Sequence, residues 1–231
     1  MTNIVLVPGA WLGAEAWRET ADVLRAAGHE VHPLTLSGLA EKRGVPADLE
    51  THVRDVIEEA DRCGPGGVVL VGHSYSGIPV GLAAERLGER LRRVVFVDAG
   101  VPVAGESFLG AWDTGEVAAA IAAEGGLWAP PDAEEFAGQG LTGEQIARLL
   151  SGAVPHPGAT LTEPAAPTGA LAGLPVTYVK CLLDGPEPMP AVAKLLGGPS
   201  WELVRMDTGH WPMFSQPEAL ARILDEAAAR P

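Results

Sequence analysis

Short, continuous apolar runs alternate along this chain with segments whose apolar residues recur at helical spacing, and no other feature constrains the fold as strongly. The runs consist mainly of Val, Ile and Leu, which is typical of strands buried on both faces. They occupy residues 3–8, 30–36, 67–73, 93–99, 176–182 and 201–207. The helical segments occupy residues 14–26, 48–62, 75–87, 189–196 and 217–230. This order predicts an α/β fold with a mostly parallel six-stranded sheet and helices on both faces.

One long stretch, residues 100–174, interrupts the alternation. It contains helical patches at 116–123 and 143–150, joined by segments rich in Pro and Gly, and no strong strand. A loop of this length without structure of its own is improbable in a compact domain. We therefore expect a core made of residues 1–99 and 175–231, with residues 100–174 inserted as a mostly helical cap subdomain.

The composition limits the classes of molecule that this chain is expected to bind. The 231 residues are 47% hydrophobic and carry a formal net charge of −14, without a visible basic stripe. This disfavours binding to nucleic acids or to anionic membranes. The N-terminus lacks the basic region of a secretory signal, and no apolar run reaches the roughly 18 residues of a membrane span, so a cytoplasmic location is expected. Two cysteines, Cys63 and Cys181, are too few for a disulfide framework or a zinc site, and we expect no metal and no cofactor. The sequence is compatible with a homodimer.

Ser74 stands where the third strand ends and a helix begins, in the sequence Gly72-His73-Ser74-Tyr75-Ser76. The motif differs from the G-x-S-x-G pattern of serine nucleophiles because serine occupies its fifth position, and a glycine follows one residue later. A serine at such a turn points its hydroxyl into the crevice at the carboxyl ends of the strands. The alternative is an ordinary turn with a helix-capping serine.

A serine nucleophile needs a nearby base, and histidine is the usual one. The chain has six histidines: His29, His32, His52, His73, His156 and His210. Of these, His210 follows the last strand in a Gly-His turn that faces the same sheet edge as Ser74. His73 adjoins Ser74, but the alternation of side chains along a strand directs it away. We expect His52 on a polar helix and His156 in a linker.

Two aspartates are candidates for the acid that orients the histidine. Asp184 follows the strand at 176–182, and Asp98 lies within the last residues of the strand at 93–99. Asp184 is favoured because its strand directly precedes the one before His210, and consecutive strands are often neighbours. Asp98 is the alternative, and either carboxylate could instead cap its own turn.

The order Ser74, Asp184, His210, each after its own strand, resembles the α/β-hydrolase superfamily over nearly the whole chain. The opening "IVLVPGAWLGAEAW" is similar to the first-strand signature of a branch that contains plant-type esterases and hydroxynitrile lyases. This resemblance implies a catalytic Ser74, Asp184 and His210. It also implies an oxyanion hole formed by the backbone N–H groups of Ala10 and Tyr75, and a cap after the fourth strand.

The chain departs from that branch at two places. Pro8-Gly9 stands where the family commonly has His-Gly. The lyases of the branch carry a lysine directly after the catalytic histidine and a threonine in the first loop, but here Trp211 and Gly9 occupy those positions. Because a cyanide leaving group needs a positive partner, these departures disfavour lyase activity.

Several large apolar residues are candidates for the substrate pocket, although such residues are common in cores: Trp11, Trp112, Trp128, Trp211 and Met213. If they line the cleft, one part of the substrate is apolar. Arg148 is the one basic residue of the expected cap, so thioesters of coenzyme A, with their phosphates, are less favoured than neutral esters or lactones.

The leading hypothesis is a serine hydrolase that cleaves a small, largely apolar carboxylic ester or lactone through an acyl-enzyme. Two alternatives use the same scaffold: a lyase or biosynthetic cyclase, and a non-catalytic protein that binds a small molecule. A dinucleotide-dependent dehydrogenase is disfavoured because "VPGAWLG" lacks the G-x-G-x-x-G pattern.

Overall fold

The computed structural model describes residues 1–230 and confirms the α/β architecture. The strands are β1 Asn3–Val7, β2 Glu30–Pro33, β3 Val68–His73, β4 Leu91–Val97, β5 Leu127–Trp128, β6 His156–Pro157, β7 Val176–Cys181 and β8 Trp201–Met206. Six of them form one sheet in the order β2-β1-β3-β4-β7-β8. All neighbours in this sheet run parallel. The carboxyl ends of its strands therefore lie at one edge, where the candidate residues were expected.

The helices pack around this sheet. They are α1 Arg18–Ala26, α2 Leu49–Arg62, α3 Gly77–Leu87, α4 Glu116–Ala123, α5 Gly143–Gly152, α6 Ala159–Thr162, α7 Pro190–Leu195, α8 Pro212–Ser215 and α9 Pro217–Ala229. Within the described residues 1–230, no helix has both the length and the apolar character needed to cross a membrane.

Two hydrophobic cores lie on opposite faces of the sheet. All six residues of β3 are buried, and the side chains of its first four residues alternate between the two cores. Val68 and Leu70 pack in one core with α2 and α3, whereas Val69 and Val71 pack in the other with α1 and α9. Burial on both faces explains why the strand sequences are continuously apolar.

Residues 100–174, called here the insertion, contain three of the helices, α4 to α6, and a two-stranded antiparallel ribbon of β5 and β6. Between these elements the insertion consists of short 3-10 turns and irregular segments. The ribbon has only two residues per strand, which is too short to leave a periodic hydrophobic pattern. Its position depends on the contacts of the insertion with the rest of the chain.

Candidate active site

Ser74 lies at the carboxyl end of β3, in a 3-10 turn, Ser74–Ser76, that leads into α3. Its backbone has a φ of +53°, in the left-handed region that non-glycine residues rarely adopt. Such a conformation costs on the order of 1–3 kcal/mol and persists only where the surroundings impose it. The sharp turn presents the Ser74 side chain to a cavity at the edge of the sheet.

Ser76, the residue that breaks the usual motif, stabilises this turn. Its hydroxyl oxygen accepts a hydrogen bond from the His73 N–H at 2.9 Å. The hydroxyl lies equally close, at 2.9 Å, to the carbonyl oxygens of Val7 and His73, and donates to one of them. The position that cannot carry a side chain is Gly77, where a Cβ atom would lie 2.0 Å from the Gly100 carbonyl oxygen. The requirement for glycine has thus moved one residue along the chain.

The loop after β1 passes close to Ser74. A Cβ atom on Gly9 would lie 2.9 Å from Ser74 Cβ and 2.8 Å from His73 Nδ1, so this position also needs glycine. The close approach brings Ala10 into the wall of the cavity beside Ser74. Within residues 1–230, no hydrogen bond engages the backbone N–H of Ala10. This N–H group is therefore free to receive a negatively charged oxygen.

His210 is held at the same edge by two contacts to its backbone. The His210 N–H donates to Gln139 Oε1 of the insertion at 2.7 Å, and His73 Nε2 donates to the His210 carbonyl oxygen at 2.7 Å. A Cβ atom at Gly209 would lie 2.1 Å from the Gln139 carbonyl oxygen, which explains the Gly-His turn. Ser74 and His210 line the same cavity.

Both candidate acids face His210 Nδ1, at different distances. Asp98 Oδ2 is 2.8 Å from this nitrogen, whereas Asp184 Oδ2 is 3.4 Å away. The Asp98 side chain is 3% exposed and that of Asp184 is 42% exposed. Sequence order favoured Asp184, but the structure brings both carboxylates to the histidine and gives the shorter contact to Asp98. Asp98, like Ser74, has a positive φ, of +44°.

Lys180 completes this group of charges. Its buried ammonium contacts Asp98 Oδ1 at 2.6 Å and donates to the Asp184 carbonyl oxygen at 3.1 Å. The Cys181 N–H donates to the same Asp98 oxygen at 3.3 Å. Lys180 therefore neutralises part of the negative charge that the two carboxylates bring to His210.

These neighbours alter the acid–base properties of the site. Burial by itself would lower the pKa of His210, but hydrogen bonds to Asp184 and Asp98 and their negative charges outweigh burial and raise the pKa to about 9. For Asp184, burial acts to raise the pKa, but the hydrogen bond and charge of His210 prevail and lower it. His73 is fully buried, and burial holds its pKa well below the usual value.

Asp98, Asp184 and His210 also place three ligand atoms within 4.8 Å of one another. The Lys180 ammonium already contacts one of the Asp98 oxygens at 2.6 Å. A second cation at this position would be repelled by it. The arrangement suits a histidine that carboxylates orient and favour in its protonated form better than it suits a metal ion.

The cavity that these residues line has a volume of about 560 Å³. Four of the five predicted pocket residues line it: Trp11, Trp112, Trp128 and Trp211. The rings of Trp11 and Trp128 have centroids 4.2 Å apart, and those of Trp112 and Trp128 are 6.2 Å apart. Together they form an aromatic wall.

The assignment of Met213 to the pocket is wrong. It lies in α8, is 1% exposed and packs in the core that contains α1 and α9. The short helix begins at Pro212, immediately after Trp211, and turns the next side chain inward. Trp211 therefore lines the cavity, whereas Met213, two positions later, belongs to the core.

Several residues of the site were not predicted from the sequence: Phe108, Gln139, Tyr178, Lys180 and Glu187. Lys180 did leave a signal, because a single charged residue in the buried strand "VTYVKC" requires a partner. Gln139 and Phe108 left none, since their positions depend on how the insertion packs. His52 lies in α2, a helix as expected, but its side chain is buried, and His156 lies buried in β6 and not in an irregular linker.

Known proteins resemble this chain over nearly its whole length. The model of the alpha/beta hydrolase family matches residues 4–223. A carbendazim hydrolyzing esterase from Nocardioides sp. (strain SG-4G) is 34% identical, and the match covers 97% of this chain and 98% of that protein. A probable hydrolase, R7, from Phoma sp. is 33% identical, with 97% of each chain covered.

A solved structure shows the same fold. The extracellular alpha/beta-hydrolase of a Paenibacillus species superposes with a TM-score of 0.87 at 22% identity, covering 100% of both chains. The parallel sheet, the serine at the turn after β3 and the extent of these matches lead to one conclusion: the chain belongs to the alpha/beta hydrolase family, among relatives that are esterases and hydrolases.

Proposed function

We propose that this protein hydrolyses small, uncharged carboxylic esters or lactones through an acyl-enzyme, with Ser74 as nucleophile and His210 as general base. The observation that carries this proposal is the strained turn at Ser74, which opens into the cavity that also contains a histidine hydrogen-bonded to carboxylate. Strain of this kind concentrates at functional sites. The esterase and hydrolase relatives support the same reaction class.

In the first step, Ser74 Oγ attacks the carbonyl carbon of the ester and His210 Nε2 takes the hydroxyl proton. The carbonyl oxygen becomes negatively charged, and the backbone N–H groups of Ala10 and Tyr75 bind it. Asp98 and Asp184 stabilise the imidazolium that forms. His210 then donates the proton to the leaving alcohol oxygen, and the acyl group stays on Ser74.

In the second step, His210 removes a proton from water, which attacks the acyl carbon. Collapse of the second tetrahedral intermediate breaks the bond to Ser74 Oγ and returns the proton to it. One ester and one water thus give one carboxylic acid and one alcohol. No external cofactor takes part in this sequence.

The cavity supports an uncharged, aromatic or otherwise apolar substrate. Its volume suits a drug-sized molecule, and its tryptophan wall offers flat apolar surface. The carboxylates of Asp98, Asp184 and Glu187 outnumber Lys180 in the lining, which disfavours anionic substrates and favours release of the acid product. By its name, the relative from Nocardioides hydrolyses carbendazim, and this compound belongs in a substrate panel. We propose that the insertion serves as the cap over this cavity.

Hydrolysis is favoured over lyase chemistry by the position of Lys180. Its ammonium is 6% exposed and contacts both Asp98 and the Asp184 carbonyl oxygen. It is committed to these partners and does not offer a free positive charge to a departing cyanide. This agrees with the absence of a lysine after His210.

The raised pKa of His210 predicts that activity increases with pH. The base must be neutral to act, so kcat/KM is expected to rise through neutrality and level off near pH 9. Stability should change in the opposite direction. Because the folded-state pKa is raised, the contribution of His210 to stability is complete below the unfolded value of about 6.5 and is lost as pH rises through about 9. A pH–rate profile and melting temperatures in the same buffers test both statements, and a flat profile above pH 6 contradicts them.

A fluorophosphonate probe tests the proposed function directly. We expect the probe to label Ser74, as identified by mass spectrometry of the digested protein, and to abolish hydrolysis of p-nitrophenyl esters in proportion. A panel of neutral aryl and alkyl esters, lactones, carbendazim and an anionic ester should show preference for the uncharged compounds. Absence of labelling, with a folded protein, would favour a non-catalytic binding protein.

A further inference from the structure

Trp11 is held entirely by the insertion. It follows Ala10, and its φ of +66° is unfavourable for a bulky side chain. The Trp11 N–H donates to His156 Nδ1 at 3.2 Å, and the Trp11 carbonyl oxygen accepts from the Val154 N–H at 3.0 Å. The indole Nε1–H donates to the Trp128 carbonyl oxygen at 3.2 Å. Every polar group of Trp11 thus has its partner in the insertion.

His156 is built to act as an acceptor. It is 0% exposed, and its Nε2 lies 2.9 Å from Thr160 Oγ1. The Thr160 hydroxyl donates to the Pro157 carbonyl oxygen at 2.7 Å, so the Thr160 oxygen must accept from His156 Nε2–H. The proton on Nε2 leaves a lone pair on Nδ1, which faces the Trp11 N–H. The mechanism proposed above gives this buried histidine no role.

The same ring also contacts the other half of the expected oxyanion hole. The centroids of the His156 and Tyr75 rings are 4.7 Å apart in an edge-to-face arrangement. On its far side, the Tyr75 hydroxyl lies 2.9 Å from Nδ1 of the buried His52, whose Nε2 donates to the Ser37 carbonyl oxygen at 2.8 Å. His156 therefore contacts Tyr75, which carries one of the expected oxyanion N–H groups, and Trp11, whose neighbour Ala10 carries the other.

We propose that His156 is a positioning residue for catalysis: by accepting the Trp11 N–H, it holds the Ala10–Trp11 peptide in its strained conformation and keeps the Ala10 N–H directed at the oxyanion. This inference rests on the proposed function. In this inference the insertion has a second role beyond covering the cavity, because its ribbon of β5 and β6 orients the backbone N–H of Ala10. A residue of this kind acts through Trp11 and does not touch the substrate.

The expected effect is on the transition state. Removing an oxyanion donor lowers kcat by about 10²- to 10³-fold, and a misdirected donor should cost less, about 10- to 100-fold. The oxyanion exists in the transition state and not in the bound ester, so KM should change little. This separation distinguishes positioning of the donor from damage to the substrate pocket.

Two variants with opposite expectations test the proposal. His156→Leu removes the acceptor and keeps an apolar side chain; we expect kcat for the preferred p-nitrophenyl ester to fall at least 10-fold, with KM within about 3-fold. His156→Asn can place its Oδ1 near the position of Nδ1, and we expect it to recover most of the lost kcat. If His156→Leu does not fold, Thr160→Val provides the second test, since it removes the acceptor that fixes the tautomer, and a several-fold loss of kcat is expected.

Leu149→Ala is the control, because Leu149 is a buried residue of the insertion that packs in the core with α1 and α9 and does not line the cavity. We expect this variant to lower the melting temperature and to keep kcat within about 3-fold of wild type. Equal losses of kcat in Leu149→Ala and His156→Leu would overturn the proposal, and so would unchanged kcat in folded His156→Leu. Labelling of Ser74 in the wild type tests the hydrolase assignment separately, so failure of either idea is recognisable.

Discussion

Replacement of Ser74 by alanine is expected to lower kcat for p-nitrophenyl ester hydrolysis by about 10⁴- to 10⁶-fold. Without Oγ no acyl-enzyme forms, and only the binding and oxyanion contributions to catalysis remain. Alanine keeps the Cβ atom, so the backbone strain at φ +53° is the same as with serine, and folding should be preserved. Steady-state kinetics, together with a melting curve, provide the measurement.

Ser107→Ala is a suitable control for this variant. Ser107 lies near the cavity in the insertion, and its hydroxyl accepts from the Gly110 N–H at 3.0 Å without touching Ser74 or His210. We expect it to keep the wild-type rate. A Ser74→Ala protein that retains more than about a tenth of the wild-type kcat would exclude Ser74 as the nucleophile.

The second large effect on kcat is expected at the carboxylate that orients His210. We expect Asp98→Asn to lower kcat by about 10³-fold or more, since asparagine at this position cannot orient His210 or stabilise its imidazolium. Asp184→Asn should lose less, about 10- to 100-fold, because its oxygen is 3.4 Å from Nδ1 and its side chain is 42% exposed. It should also shift the pH profile to lower pH, since it removes one of the two carboxylates that raise the pKa of His210. A larger loss in Asp184→Asn would restore the order that the sequence favours.

Asp98→Asn also leaves the buried Lys180 ammonium without its carboxylate, and breaking a buried pair costs about 3–5 kcal/mol. The double variant Asp98→Asn/Lys180→Met removes this unpaired charge. We expect it to fold better than the single variant and to stay as inactive. Recovery of activity in the double variant would mean that the loss came from Lys180 and not from the missing acid.

Much of the architecture could be predicted from local sequence. The parallel sheet could be predicted because its strands are buried on both faces and are therefore continuously apolar. Ser74 and His210 could be proposed as partners because each follows a strand, and the carboxyl ends of parallel strands meet at one edge. Strand ends were less accurate: β2 stops at Pro33, three residues early, and β4 begins at Leu91, two residues before the prediction.

Other parts of the site were beyond local reasoning. Asp98 and Asp184 follow neighbouring strands, β4 and β7, so sequence order alone could not rank them, and the ranking depends on distances and burial at His210. His156 gave no signal within a Pro-rich segment, because its role depends on contact with Trp11, which lies 145 positions earlier in the chain.

Hydrophobic periodicity determined the class of fold and the edge of the sheet at which the candidate residues lie. The motif around Ser74 and the Gly-His turn at His210 then indicated the expected nucleophile and base, because each signal lies in residues close together in the chain. Tertiary packing decided the rest. It determined that Asp98 is the carboxylate nearer to His210 and pairs with Lys180, that the aromatic wall excludes Met213, and that the insertion binds the loop that carries Ala10. These features need two or more distant segments at hydrogen-bonding distance, and such distances are set only when the helices and the insertion pack against the finished sheet.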